Sequence, residues 1–151
     1  MLVAPEIHWN AGNAGRSCLA AGAQLHLVRP LGFSLGERAL KRAGLHYWQH
    51  VKPIVWQSWA AFETELPRLG EPLFFTAGAG RPIWDVAFPE RAVCIFGRES
   101  QGLGSEVLAR YPGRGVAIPL RAFEGISLNL STAVGIALYE ARRQRSSVSA
   151  P

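Results

Sequence analysis

Lysine is nearly absent from this chain: of its sixteen basic residues fourteen are arginine, and only Lys41 and Lys52 are lysine. Arginine's planar fork matches phosphate and carboxylate and stacks on bases, although a GC-rich genome would leave the same bias. Cysteine is scarce too. Cys18 and Cys94 sit in apolar patterns without CxxC or Cys/His spacing, so buried free thiols are expected and a metal site is not. His8, His26, His46 and His50 show no metal-ligand spacing either. Charged residues make up only 18% against 48% hydrophobic, which excludes disorder. No apolar run approaches the roughly 20 residues needed to span a bilayer, and no signal-peptide pattern opens the chain. The expectation is a soluble, cytoplasmic protein with no membrane or metal partner.

Common enzyme signatures are missing as well. The chain has no GxSxG elbow, no GxGxxG and no GxxxxGK[ST], so α/β-hydrolase, standard dinucleotide and P-loop readings fail. Trp9, Trp48, Trp56, Trp59 and Trp84 read as core or interface residues. The formal charge of +5 is modest for a nucleic-acid binder.

What is present is an alternation of short apolar runs with helical patterns, at single-domain length. Strands are expected over 1–4, 24–28, 50–55, 72–76, 92–96 and 115–118. Helices are expected from about Ala14 to Ala23, over 35–43, over 58–66 ending before Pro67, over 105–111, and from Ser127 to about Arg145. Such an alternation predicts a mostly parallel α/β sheet covered by helices on both faces. The last helix is the most regular. Leu130, Ala133, Val134, Ala137, Leu138 and Ala141 form one apolar face, rich in small residues that permit close approach, with Tyr139 on a flank open to a dimer partner. Residues 146–151 read as a flexible tail to a single domain over 1–145.

Open parallel sheets bind ligands at the carboxyl ends of their strands, and three segments there carry chemistry. The first is Asn10-Ala11-Gly12-Asn13-Ala14-Gly15-Arg16, read as a loop leading into a helix. The second is Gly97-Arg98-Glu99-Ser100-Gln101-Gly102-Leu103, where a charged pair is wedged between glycines. The third is Ile118-Pro119-Leu120 with Ser127-Leu128-Asn129-Leu130-Ser131. Three polar residues crowd that last helix start where one cap would suffice, so the segment suits a richly capped helix or a ligand site.

In this order the three segments resemble the SPOUT superfamily of RNA methyltransferases, in its SpoU-type branch and the minimal tRNA wobble-nucleotide 2′-O-methyltransferases within it. Pro30-Leu31-Gly32-Phe33 and Arg42-Ala43-Gly44-Leu45-His46-Tyr47 look like the same subfamily, so the resemblance spans nearly the whole chain. It implies a C-terminal deep trefoil knot, a known exception to the rule against knots, and a homodimer. It also implies S-adenosyl-L-methionine as methyl donor, leaving S-adenosyl-L-homocysteine. The donor would lie against Thr76, Gly97, Gly102, Ile118, Leu120 and Ser127, held largely by backbone groups.

Catalytic positions implied by the resemblance are Arg16, Asn13, Glu99, Asn129 and Ser131. For Arg16, orienting a nucleotide phosphate and stabilising the alkoxide is physically cheaper than acting as a base, because a guanidinium rarely gives up its proton. Glu99 would attract the donor's sulfonium or organise the loops. With no separate RNA-binding domain, tRNA would be gripped by Lys41, Arg42, Arg142, Arg143 and Arg145, each of which also reads as a solvated helix face. The chain departs from the subfamily where His8-Trp9 and Ala11 replace its usual residues, and where the loop from Arg121 to Ile126 looks longer. Three other readings stay open: methylation of ribosomal RNA or another tRNA ribose, a non-catalytic RNA-binding protein, and a small-molecule α/β enzyme.

Overall fold

The computed structural model describes residues 1–35, 47–121 and 127–148. The helix expected over 35–43, the candidates Lys41 and Arg42 and most of the 121–126 loop therefore lie outside the described residues.

Six strands form one wholly parallel sheet: β1 (Leu2–Val3), β2 (His26–Val28), β3 (Ile54–Trp56), β4 (Glu71–Phe75), β5 (Ala92–Phe96) and β6 (Gly115–Val116), in the order β3-β2-β1-β5-β4-β6. Between them run α1 (His8–Ala21), α2 (Trp48–Val51), α3 (Trp59–Leu69), a 3₁₀ turn (Ile83–Asp85), α4 (Ser105–Ala109) and, last, α5 (Leu130–Val148).

The period-two rule assigns the faces. On β4, Leu73 and Phe75 join Leu2, Leu27, Phe96 and Val116 beneath α1, α2 and α5. Phe74, between them in sequence, points the other way and packs with Val28, Ile95 and the Phe62 and Leu66 of α3. Both faces are covered, as the near-continuous apolar strands require. α1 meets α5 through Ala11, Ala14 and Ala137, all fully buried. These small side chains let the two backbones approach closely.

Several boundaries differ from expectation. α1 begins at His8 rather than Ala14, so the Asn10–Arg16 segment is helix, not loop. Its many small residues are explained by packing: a methyl on Gly15 would stand 3.0 Å from Trp48 Cζ3 and 3.1 Å from Val51 Cγ1. That same contact makes residues 48–51 a short helix where a strand was expected, because Trp48 and Val51 at i, i+3 are both needed against α1. α3 runs through Pro67 to Leu69: the proline costs one hydrogen bond near the helix end, and the Gly70 N–H closes the last turn on the Leu66 carbonyl at 3.1 Å. α5 starts at Leu130, after its cap, and extends to Val148, beyond Arg145 where the expected tail begins.

Candidate active site

The carboxyl ends of β4, β5 and β6 open onto a cleft of about 680 Å³, a size typical of small-molecule sites. Its floor is apolar: Phe75, Phe96, Ile118, Leu120, Leu128, Leu130 and Ala133. Its polar lining comes from Asn10, Thr76, the 98–101 turn, Ser127 and Asn129.

The 97–102 turn is built by its glycines. Arg98 and Gly102 exchange backbone hydrogen bonds of 3.2 and 2.9 Å, folding the turn back on itself. A side chain at Gly97 would meet the Gly102 carbonyl carbon at 2.0 Å, and Gly102 itself has φ +65°. Only glycine satisfies both positions.

The turn is then clasped to the start of α1. Glu99 Oε2 accepts from the Glu6 backbone N–H at 2.7 Å, and Oε1 accepts from the Ile7 N–H at 3.2 Å and the Asn10 amide at 2.9 Å. Glu6 reciprocates, accepting from the Ser100 N–H at 2.9 Å and the Ser100 hydroxyl at 2.8 Å. Ile7, in the N-cap position of α1, has no capping side chain. Glu99 therefore brings to that helix start the negative charge and the acceptor that the local sequence lacks. Burial opposes ionisation of Glu99, yet the Asn10 amide and the backbone donors outweigh it and hold its carboxyl below the usual range.

Asn10 carries the network onward. It is 5% exposed, and its carbonyl oxygen accepts from the Asn129 amide at 2.8 Å. Flipping the Asn10 amide would set donor against donor and acceptor against carboxylate, so its orientation is fixed. Asn129 caps α5: its Oδ1 accepts from the Ser131 N–H at 2.9 Å, the Ser131 hydroxyl at 2.7 Å and the Thr132 N–H at 3.4 Å. One chain of side chains, Glu99–Asn10–Asn129–Ser131, thus ties the three sequence segments together.

All six expected donor-contact residues, Thr76, Gly97, Gly102, Ile118, Leu120 and Ser127, line this cleft, and so do Glu99 and Asn129. Ser131 joins through Asn129 without lining it. Asn13 and Arg16 do not line it. Both are exposed on α1, and the Arg16 guanidinium lies over the Tyr47 ring, 5.6 Å from its centroid. The Tyr47 hydroxyl in turn donates to the Gly12 carbonyl at 3.1 Å.

The expected RNA contacts on α5 stand roughly 20 Å along the helix from Asn129, at 1.5 Å per residue. Arg142 donates to the Ala21 carbonyl at 3.1 Å, Arg143 makes a two-pronged pair with Glu140 at 2.9 and 2.7 Å, and Arg145 donates to the Glu90 carbonyl. Glu140 answers much of Arg143's charge. Asn10 and Glu6 carry the clasp without having been singled out by sequence. The signal for Asn10 was its place in the first segment; nothing in the pattern marked Glu6. The cysteines are free, and burial raises the Cys18 thiol and pushes Cys94 up to about 11, so both stay protonated. Among the described residues no cluster of potential metal ligands occurs, and no helix is long and apolar enough to cross a membrane.

Comparison with known proteins places this geometry. A tRNA (cytidine(34)-2'-O)-methyltransferase of Burkholderia cenocepacia is 42% identical over 147 residues, covering 95% of this chain and 93% of its own. A solved structure described as "Structural insights into the 2-OH methylation of C/U34 on tRNA" is 46% identical, covers 97% of this chain and 94% of its own, and superposes with a TM-score of 0.88. An AdoMet-bound rRNA methyltransferase from Sinorhizobium meliloti is 25% identical with a TM-score of 0.79, covering 94% of this chain and 54% of its own. The parallel α/β fold is thus that of the SpoU-type methyltransferases. The pattern of the SpoU rRNA Methylase family matches residues 1–139, and to that family of RNA methyltransferases the chain belongs.

Proposed function

We propose that this protein is an S-adenosyl-L-methionine-dependent tRNA 2′-O-methyltransferase acting on the ribose of the wobble nucleotide, cytidine or a modified uridine. The observation that carries the reading is the single cleft in which Thr76, Gly97, Ile118 and Ser127 meet, bound together by the Glu99–Asn10–Asn129 network. Near-full-length relatives named for the same reaction support it.

The cleft's apolar floor and polar rim fit an adenosine and a thioether chain. When bound, S-adenosylmethionine supplies an activated methyl group. Thr76, Gly97, Ile118 and Ser127 would hold it, and it would supply the methyl taken by the ribose 2′-oxygen as the hydroxyl proton leaves to solvent. The chain's own work is alignment and charge stabilisation. Glu99, with three donors on its carboxylate, organises the walls of the cleft instead of meeting the sulfonium.

The homodimer belongs to the same proposal. Trp9 on α1 and Tyr139 on α5 are 51% and 53% exposed, large apolar side chains suited to a partner surface. Arg16, outside its own chain's cleft, would then serve the cleft of the second copy. The trefoil knot is also part of this reading. It is supported by the segment after β4, which bonds both to the end of β6 (Ile83 N–H to Ala117 carbonyl, 2.8 Å) and to α5 (Phe88 N–H to Gln144 Oε1, 2.9 Å). An experimental chain trace through 76–91 and 118–130 checks it. A cytoplasmic place of action goes with a tRNA substrate.

The test is transfer of labelled methyl to undermodified tRNA, with the modified nucleotide mapped. Wild type is expected to label the wobble ribose. Arg16→Ala abolishes transfer while donor affinity stays within a few-fold, and mixing it with Asn129→Ala chains restores part of the activity. Absence of 2′-O-methylation across all isoacceptors with pyrimidine wobble bases contradicts the proposal, and label on ribosomal RNA or another ribose redirects it.

A further inference from the structure

One charged side chain of the cleft has no partner among the described residues. Of the two ionised side chains among its described lining residues, Glu99 is engaged by the Glu6 and Ile7 N–H groups and the Asn10 amide. The other is Arg98, the sole cationic side chain among the described residues lining the cleft. Its backbone is fixed by the exchange with Gly102, but its guanidinium has no hydrogen-bond or ion-pair partner among the described residues. Several other arginines are occupied: Arg110 pairs with Glu63, Arg114 with Glu71, Arg143 with Glu140, and Arg142 donates to a backbone carbonyl; Arg29, Arg81 and Arg121, which also lack a side-chain partner among the described residues, are exposed and do not line the cleft. On a half-buried residue of the cleft wall, a guanidinium without a partner among the described residues is a waiting anion site, since its five donors sit in a fixed fork.

We propose that Arg98 binds a backbone phosphate of the incoming RNA and so positions the target ribose against the methyl donor. The inference rests on the reading of the cleft given above. Two anions are chemically available there, the donor's carboxylate and the RNA phosphate. Charge balance favours the phosphate. S-adenosylmethionine carries an ammonium and a sulfonium against one carboxylate and is net cationic, so a guanidinium gains less from it than from a polyanion. RNA brings a row of negative charges, and each phosphate neutralised releases counterions. The exposed neighbours Ser100 and Gln101 carry the turn outward to where a polynucleotide arrives. Arg98 acts here as a positioning residue: it touches the nucleotide's backbone, not the reacting atoms.

The experiment compares wild type with Arg98→Gln and Arg98→Lys by three readouts. These are calorimetric affinity for S-adenosylhomocysteine and for S-adenosylmethionine, tRNA affinity as a function of salt, and methyl transfer at saturating tRNA. Arg98→Gln is expected to weaken tRNA about tenfold and to lower the slope of log affinity against log salt by about one. Affinity for S-adenosylhomocysteine stays within twofold, and that for cationic S-adenosylmethionine is unchanged or slightly tighter. Arg98→Lys keeps the salt slope but recovers only part of the affinity, because a point charge lacks the two-pronged geometry. Equal loss of both S-adenosyl ligands with an unchanged salt slope assigns Arg98 to the donor carboxylate and overturns the proposal; no change in any readout makes it a solvated side chain and overturns it equally. Wild type that binds neither S-adenosyl ligand nor tRNA would instead remove the functional reading itself.

Discussion

Asn10 shows how much a single buried amide decides. Both of its ends are committed, one to the Glu99 carboxylate and one to the Asn129 amide. Truncation leaves a charged acceptor and a donor short of partners, a cost of about 1–3 kcal/mol. Asn10→Asp has a sharper signature. It sets a second carboxylate against Glu99 at pH 7, and like charges at contact force one group to hold its proton. In urea unfolding, Asn10→Asp should be less stable than wild type at pH 7 and recover relative to it as the pH falls to 5. A constant difference over that range would show that the two side chains do not communicate. Sequence made Glu99 and Asn129 visible because a charged residue between glycines and an asparagine before an apolar helix have few packing uses. It could not assign their work. Glu99 has its effect through Glu6, Ile7 and Asn10, some ninety residues away, and no local pattern carries a partner that distant. For Arg16 and Asn13 the order of residues suggested the cleft, while the helical phase of α1 turned both outward.

At the scale of elements, β2 and β3 are joined on one face by a hydrogen bond from Trp56 Nε1 to His26 Nδ1, 3.0 Å, with the two rings stacked 5.9 Å apart. An acceptor nitrogen must be unprotonated. Burial, aided by the Met1 ammonium, lowers the His26 pKa from 6.5 to about 4. The unfolded chain therefore takes up this proton first. The contribution of His26 to stability is complete above about pH 6.5 and is lost progressively as the pH falls toward 4. With the ring partly open to solvent, the loss is of the order of 1 kcal/mol. Chemical denaturation between pH 7 and 4.5 should show that decline, and His26→Asn, which keeps an acceptor, should flatten it. An unchanged slope in the variant would locate the pH dependence elsewhere. The strands and longer helices were legible from apolar periodicity, but their ends were not. Trp48 to Val51 has strand-forming residues and is helical because α1 presents Gly15 as a socket. α3 outlasts Pro67 because the proline removes a single bond of the ladder there, while the Gly70 N–H still closes the helix on the Leu66 carbonyl.

For the whole molecule, the parallel sheet follows directly from the alternation of strand and helix patterns, and its strand order explains where the site lies. β4 sits between β5 and β6, all parallel, so the turns after β4, β5 and β6 come side by side at one end of the sheet. The start of α1 and the start of α5 reach the same end, and one hydrogen-bonded chain locks them to the 97–102 turn. No stretch of sequence encodes that convergence alone; it exists only once the sheet has formed. The reading of this protein as a methyltransferase of tRNA depends on the cleft so assembled accepting an S-adenosyl ligand. The most direct test is calorimetric titration of S-adenosylhomocysteine into the full chain. The expected result is saturable binding at about one site per chain, in the range of about 1 µM to 1 mM usual for enzyme substrates, and its loss in Gly97→Val, where the added side chain would collide with the Gly102 backbone. No binding up to several millimolar, or full binding by that variant, would contradict it.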